Sequence, residues 1–267
     1  MRDRGMRMGN AERDRSARQR LATERARSQA RDRQRRLLLI TVGGIAAAAV
    51  IVAVVVVAVR GGDDEDAKTA SSYTGPLAPV SRQADGSTLM AKAGVNGPVL
   101  EIFEDFQCPI CKQAEEAAGD TIKRLAGEGA LRVVYRPLQL FQGADREPLS
   151  SNSHRAANAA LCAPADRWLA FHDTLYANQP EEGDEGFAND DLVAWGRNAG
   201  ITDGAFPGCV TGDAKAAELA TMTRYAFEDR KIEGTPTVLL DGKALDLRGQ
   251  VLDPAGLEKA VRAAERS

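Results

Sequence analysis

The stretch Val99-Leu100-Glu101-Ile102-Phe103-Glu104-Asp105-Phe106-Gln107-Cys108-Pro109-Ile110-Cys111 decides how this chain folds. Its first eight residues are largely apolar or aromatic and read as a strand. The two cysteines then open a run, Lys112–Ala126, with helical character, closed by Gly127-Glu128-Gly129. Leu131–Tyr135 reads as the next strand, stopped by Pro137. Strand, helix, strand in this order is a βαβ unit with a parallel pair.

The place of the cysteines carries chemistry. Three residues apart at a helix start, two sulfurs can close a small ring. The first lies beside free backbone N–H groups and the positive end of the helix dipole. Both favour thiolate, so the Cys108 pKa is expected to fall from about 8.5 into the ~3.5–7.5 range. Pro109 supports the helix start and gives up an N–H that would be unpaired anyway.

Toward the C-terminus the pattern turns helical from about 149 to 230. Trp168, Phe171, His172, Leu175 and Tyr176 share one helical face. Leu192, Trp195 and Ala199 repeat the spacing after Asp190 and Asp191, the capping candidates, and a further helix covers Ala214–Asp229. Strand character returns at Thr237–Leu240, with an Asp241-Gly242 hairpin signal. Asp253-Pro254 sets up a final helix, with Asp as cap and Pro in the first turn. Before the decisive stretch, Ala78–Gln83 and Ser87–Ala93 read as short leading strands.

The N-terminal part belongs to another environment. Residues 1–36 hold 13 Arg and 5 acids, a net of +8, whereas the whole chain carries −3, leaving about −11 for the rest. An acidic body argues against nucleic acid as the main partner. Residues 37–59 carry no charge and are almost entirely Leu, Ile, Val and Ala. As a helix rising about 1.5 Å per residue, such a run spans a bilayer core of roughly 30 Å. Arg before it and Gly61-Gly62-Asp63-Asp64-Glu65-Asp66 after it put the N-terminus in the cytoplasm. The run is too long for a cleaved signal and lacks a good cleavage site, so an uncleaved anchor is expected. The organisation is then an Arg-rich cytoplasmic tail (1–36), a transmembrane anchor (37–59), an extracytoplasmic linker (60–76) and a folded domain (77–267) with its helical insert at about 149–230.

Phe103-Glu104-Asp105-Phe106-Gln107-Cys108-Pro109-Ile110-Cys111, followed much later by Gly234-Thr235-Pro236-Thr237, resembles the DsbA-like branch of the thioredoxin superfamily. The resemblance covers roughly residues 75–265. It implies an α/β thioredoxin-like fold with an inserted helical domain, here preceded by a single transmembrane helix. It also implies a membrane-anchored protein-disulfide oxidoreductase without a cofactor. Cys108 matches the exposed nucleophile and Cys111 the buried resolving thiol, with Pro109 and Ile110 between them. Pro236 matches the cis-proline facing the pair, a bond that turns the Thr235 backbone toward a substrate strand. Ile102 departs from the family, where a buried acid often stands six residues before the first cysteine. Glu104, on the same strand face, is a candidate for handling protons. The other reading has Glu101, Glu104 and Asp105 solvated or paired with Lys112 or Lys123.

The implied partners are exported proteins with cysteines, and a membrane redox partner of the DsbB or VKOR type. Disulfide reduction or isomerisation is the alternative reaction, and a non-catalytic accessory domain of a membrane complex the alternative class. Cys162 and Cys209 lack the CxxC spacing and are expected to form a structural disulfide, the other reading being a second redox pair. A zinc site would need more ligands near the CxxC pair than His154 and His172 supply, so no metal is expected. His172 reads as a hydrogen-bonded core histidine. Haem attachment would need a histidine where Lys112 stands.

Overall fold

The structure is a computed structural model and describes residues 73–266. The expected tail, anchor and most of the linker lie outside the described residues. Among those described, no helix is long and apolar enough to cross a membrane.

The decisive stretch forms the middle of a mixed sheet. Strands β1 (Val80–Arg82), β2 (Thr88–Met90), β3 (Val99–Glu104), β4 (Arg132–Pro137), β5 (Thr237–Leu240) and β6 (Lys243–Ala244) lie in the order β1-β2-β4-β3-β5-β6. β3 runs parallel to β4, with Ile102 opposite Tyr135, and antiparallel to β5, with Ile102 opposite Val238. The crossover from β3 to β4 is helix α1 (Pro109–Glu128). Its C-cap, Gly129, sits at φ 84°, and the Gly129 and Ala130 N–H groups return to the Ala126 and Leu125 carbonyls. That left-handed closure is why a glycine ends the helix.

Alternation along β3 sends Leu100, Ile102 and Glu104 to one face and Glu101 and Phe103 to the other. The first face joins the main core beneath α1 and the C-terminal helix, which pack against each other. On the second, Phe103 packs with Leu138, Ala226, Ile232 and Leu239. A strand covered on both sides needs the apolar run that identified it.

Between β4 and β5 come α2 (Leu149–Cys162), α3 (Ala165–Ala177), α4 (Asn189–Asn198), α5 (Phe206–Thr211) and α6 (Ala216–Arg224). The helix expected over Ala214–Asp229 is thus α6 continued by a π-helical turn, Tyr225–Asp229. The α3 stripe Trp168, Phe171, His172, Leu175 and Tyr176 is buried throughout. One cap is misassigned by spacing alone. Ala188 occupies the N-cap of α4, and Asp190 and Asp191 sit within its first turn, where they complement the dipole instead of capping. The final helix, α7 (Pro254–Ala264), starts as its signal indicates, with Asp253 accepting from the Ala255 N–H and Pro254 in the first turn. Asp241 and Gly242, both at positive φ, form the two-residue turn between β5 and β6.

Cys162, at the end of α2, is disulfide-bonded to Cys209 in α5 across a sequence separation of 47. Closing a loop of that size contributes about 4 kcal/mol in the chain-entropy model. A Cys162→Ala/Cys209→Ala double variant is expected to lose up to about that much in denaturant unfolding. A loss below about 1 kcal/mol would show that the unfolded chain is not the state this bond constrains.

Candidate active site

The site is assembled by the turn that joins β3 to α1. Asp105 holds this turn together. Fully buried, its carboxylate accepts from the Gln107 N–H at 2.8 Å, the Leu140 N–H at 2.7 Å and the Ser153 hydroxyl, and its backbone carbonyl accepts from the Cys108 N–H at 3.0 Å. Burial pushes the Asp105 carboxyl up to about 6 against these bonds. A second clamp comes from the loop after α3. The Gln179 side-chain amide donates to the carbonyls of Phe106 at 2.7 Å and Cys108 at 3.0 Å.

Cys108 is thereby fixed as the N-cap of α1, with Pro109 in the first turn and Ile110 half-buried against the core. Its Sγ lies 3.3 Å from the carbonyl oxygen of Thr235, and the Thr235-Pro236 peptide bond is cis. Pro236 and Cys111 line the same small cavity. Cys108, Cys111, Thr235 and Pro236, far apart in sequence, therefore converge.

The two thiols differ sharply in acidity. A hydrogen bond from the Cys111 thiol brings the Cys108 pKa down to about 6 against the opposing effect of burial, with help from Thr235 and the backbone N–H groups of Cys111 and Ile110. Burial, then the neighbouring Cys108 sulfur, raises the Cys111 pKa well above its ordinary value. The direction agrees with the helix-start reasoning, but the leading cause is the partner thiol. One expectation needs correction. Cys108 is not exposed: its relative accessibility is 5%, against 3% for Cys111. What separates the pair is that hydrogen bonding outweighs burial at Cys108, whereas burial prevails at Cys111.

The acids beside the strand also need correction, since all three are buried and none pairs with lysine. Glu101, on the far face, binds Arg136 and Arg230. Glu104 points to the core, where both carboxylate oxygens lie 3.2 Å from His172 Nε2 and one accepts from the Tyr176 hydroxyl at 3.2 Å. His172 Nδ1 lies 3.2 Å from Asp173, whose other oxygen accepts from Lys123 at 2.9 Å, and Lys123 donates to Glu115 at 2.7 Å. Burial alone would lower the His172 pKa. The Glu104 carboxylate, aided by Asp173, outweighs it and raises the pKa to about 10. Ligand-type atoms of Glu115, His172 and Asp173 lie within 4.8 Å of one another, but the Lys123 ammonium already bridges the two carboxylates in the place a metal would take. Sequence reading missed Glu115, Asp173 and Gln179, and offered Lys123 to Glu101, Glu104 or Asp105 where it binds Glu115 and Asp173. Glu115 was within reach of it, four residues after Cys111 and so on the same helical face.

Titrating thiolate absorbance is expected to show one midpoint near pH 6 for Cys108 and none for Cys111 up to pH 9. A folded pKa below the unfolded value means the thiolate stabilises the reduced form as pH rises from about 6 to about 8.5. The oxidised form has no such gain, and equal pH slopes for the two forms would contradict the assignment. His172, raised when folded, contributes fully below its unfolded value of about 6.5 and loses that contribution as pH climbs through about 10. His172→Phe leaves two buried carboxylates short of a cation. It should cost about 3–5 kcal/mol at pH 7 by chemical denaturation.

Against known proteins, residues 96–262 match the family model described as thioredoxin. No curated protein sequence matches the chain significantly. Among solved structures, the reduced disulfide bond oxidoreductase DsbG of Mycobacterium tuberculosis is 25% identical, with a TM-score of 0.55 over 65% of this chain and 82% of its own. MdbA, a thiol-disulfide oxidoreductase from Actinomyces oris, is 22% identical, with a TM-score of 0.58 over 74% of this chain and 97% of its own. Oxidised BdbD from Bacillus subtilis is 16% identical, with a TM-score of 0.57 over 72% of this chain and all of its own. The last two likenesses concern the fold.

Proposed function

This chain belongs to the thioredoxin family, and from that premise we propose that it exchanges disulfides with cysteine pairs of exported proteins, most often oxidising them. The observation that carries the reading is the split between the two thiols, with Cys108 down to about 6 and Cys111 far up. In the step we propose, a substrate thiolate attacks Cys108 of the Cys108–Cys111 disulfide. The Cys111 sulfur leaves with the electron pair, and a second substrate thiolate then releases Cys108 as thiolate. A pair whose reduced state is stabilised by an acidic thiol is the better oxidant, which favours oxidation over reduction. The substrate strand would lie along the Thr235-Pro236 segment, next to the reacting sulfur.

The setting follows from the chain before the domain. An Arg-rich head, 23 uncharged residues and an acidic stretch support a single-pass anchor with the catalytic domain outside the cytoplasm. Reoxidation would then fall to a membrane partner of the DsbB or VKOR type. Reduction or isomerisation is the second reading of the same fold.

The redox potential separates the readings. An oxidase should be clearly more positive than thioredoxin's value of about −270 mV, and a value at or below that would turn the reading to a reductase. Cys108→Ala should abolish oxidation of a reduced, unfolded test protein, while Cys111→Ala, offered a test protein that carries a disulfide, should accumulate the mixed disulfide formed when the Cys108 thiolate attacks that bond. Full cellular function of Cys108→Ser would instead point to an accessory domain and sink both enzyme readings.

A further inference from the structure

Cys111 is 3% exposed, and a sulfur leaving a disulfide there as an anion needs a proton that bulk water cannot bring directly. Behind it lies a cavity of about 20 Å³, lined by Cys111, Glu115, Glu104 and the apolar side chains of Ile102, Val251 and Leu257. That volume suffices for one water.

The ionic cluster reaching this cavity is unbalanced. Among the described residues, Glu104, Asp173 and Glu115 face only two cations, Lys123 and the His172 imidazolium. Fully ionised, it holds one negative charge in excess inside the protein, a state that one bound proton relieves. The hydrogen bonds indicate where that proton goes. Glu104 has both oxygens turned to His172 and one to Tyr176. Asp173 uses one oxygen for His172 and the other for Lys123. Glu115 uses only Oε1, toward Lys123, and its side chain keeps 13% of its accessibility, the most in the cluster. It has both a free acceptor atom and a path to water.

The helix is shaped for this carboxylate. A Cβ on Gly119 would stand 2.2 Å from Glu115 Oε1 and 2.6 Å from its Cδ. Mid-helix glycine costs about 1 kcal/mol relative to alanine, and here the vacated space is where the carboxylate lies.

We propose that Glu115 supplies the proton to Cys111 when the disulfide opens and takes it back when the disulfide closes. On opening, the Cys108–Cys111 bond breaks and a bond forms between Cys108 and the incoming sulfur. The electron pair stays on Cys111, and the Glu115 carboxyl proton crosses the cavity to it. Closure is the reverse, with Cys111 thiolate displacing the other sulfur. Burial raises the Glu115 pKa against the pull of Lys123, in keeping with a carboxyl that holds a proton. The groups facing Glu115 are Lys123 and Cys111 on its own helix, His172, Asp173 and Tyr176 on α3, Glu104 on β3 and Tyr135 on β4.

This role rests on the thiol exchange proposed above, and one experiment tells the two apart. The oxidised full-length chain is mixed with reduced glutathione, and the rate of mixed-disulfide formation, per glutathione thiolate, is followed against pH. The wild type should show a rate that falls as pH rises through the Glu115 titration. Glu115→Gln should remove that descending limb and slow the reaction about tenfold or more below it, leaving the Cys108 thiolate midpoint in place. Gly119→Ala, which keeps the carboxylate but pushes it from Lys123, should move the limb to higher pH. Glu104→Gln leaves the Glu115 carboxyl in place and should keep the limb. A wild-type profile in Glu115→Gln, or a limb lost only in Glu104→Gln, overturns the role of Glu115 and leaves the exchange reaction intact. A wild type that does not react with glutathione at all overturns both.

Discussion

A carboxylate taken out of water at the end of a central strand has to be answered by a cation, and His172 answers Glu104. Most of the molecule's layout serves that pairing. β3 is covered on one face by α1 and the C-terminal helix, and α3, packed against α1 and β1, brings its aromatic stripe to the end of the strand. The stripe delivers an imidazolium where Glu104 ends. Tyr135, Trp168, Phe106 and Tyr176 ring the imidazole with centroids 4.9–5.5 Å away, which excludes water and strengthens each charge–charge contact inside. Removing one partner would strand the other, so these residues stand or fall together.

Local patterns disclosed the frame of the fold. Val99–Glu104 had the apolar run of a strand buried on both sides, and Gly129, Asp253-Pro254 and Asp241-Gly242 each named the backbone shape they adopt. Such signals depend on a few neighbouring residues, so one sequence suffices to read them. Asp190 and Asp191 mark their limit: either could cap or complement a dipole, and only the chain path decides.

The candidate site was half legible. Cys108 and Cys111 announced themselves by spacing, and the Gly-Thr-Pro-Thr segment by its likeness to a family. The partners of Glu104 were hidden, because the contact to His172 spans 68 residues and joins a strand to a helix of the other layer. Proximity in sequence suggested lysines instead. Gly119 was the overlooked local clue: a glycine in the middle of an otherwise good helix usually marks something that must come close.

Gln179 binds two carbonyls of the active-site turn from outside the sheet, and so makes the helical layer a structural part of the redox centre. Trimming the protein to its smallest sheet-and-helix frame would leave the Phe106 and Cys108 carbonyls without that donor and the turn without one of its two clamps. A miniaturised version would need a replacement amide at that spot before it needed anything else from the helices. Evolutionary change in the layer is bounded in the same way. Loops on its outer side are free to lengthen, whereas the turn after α3 must keep its reach to the cysteines.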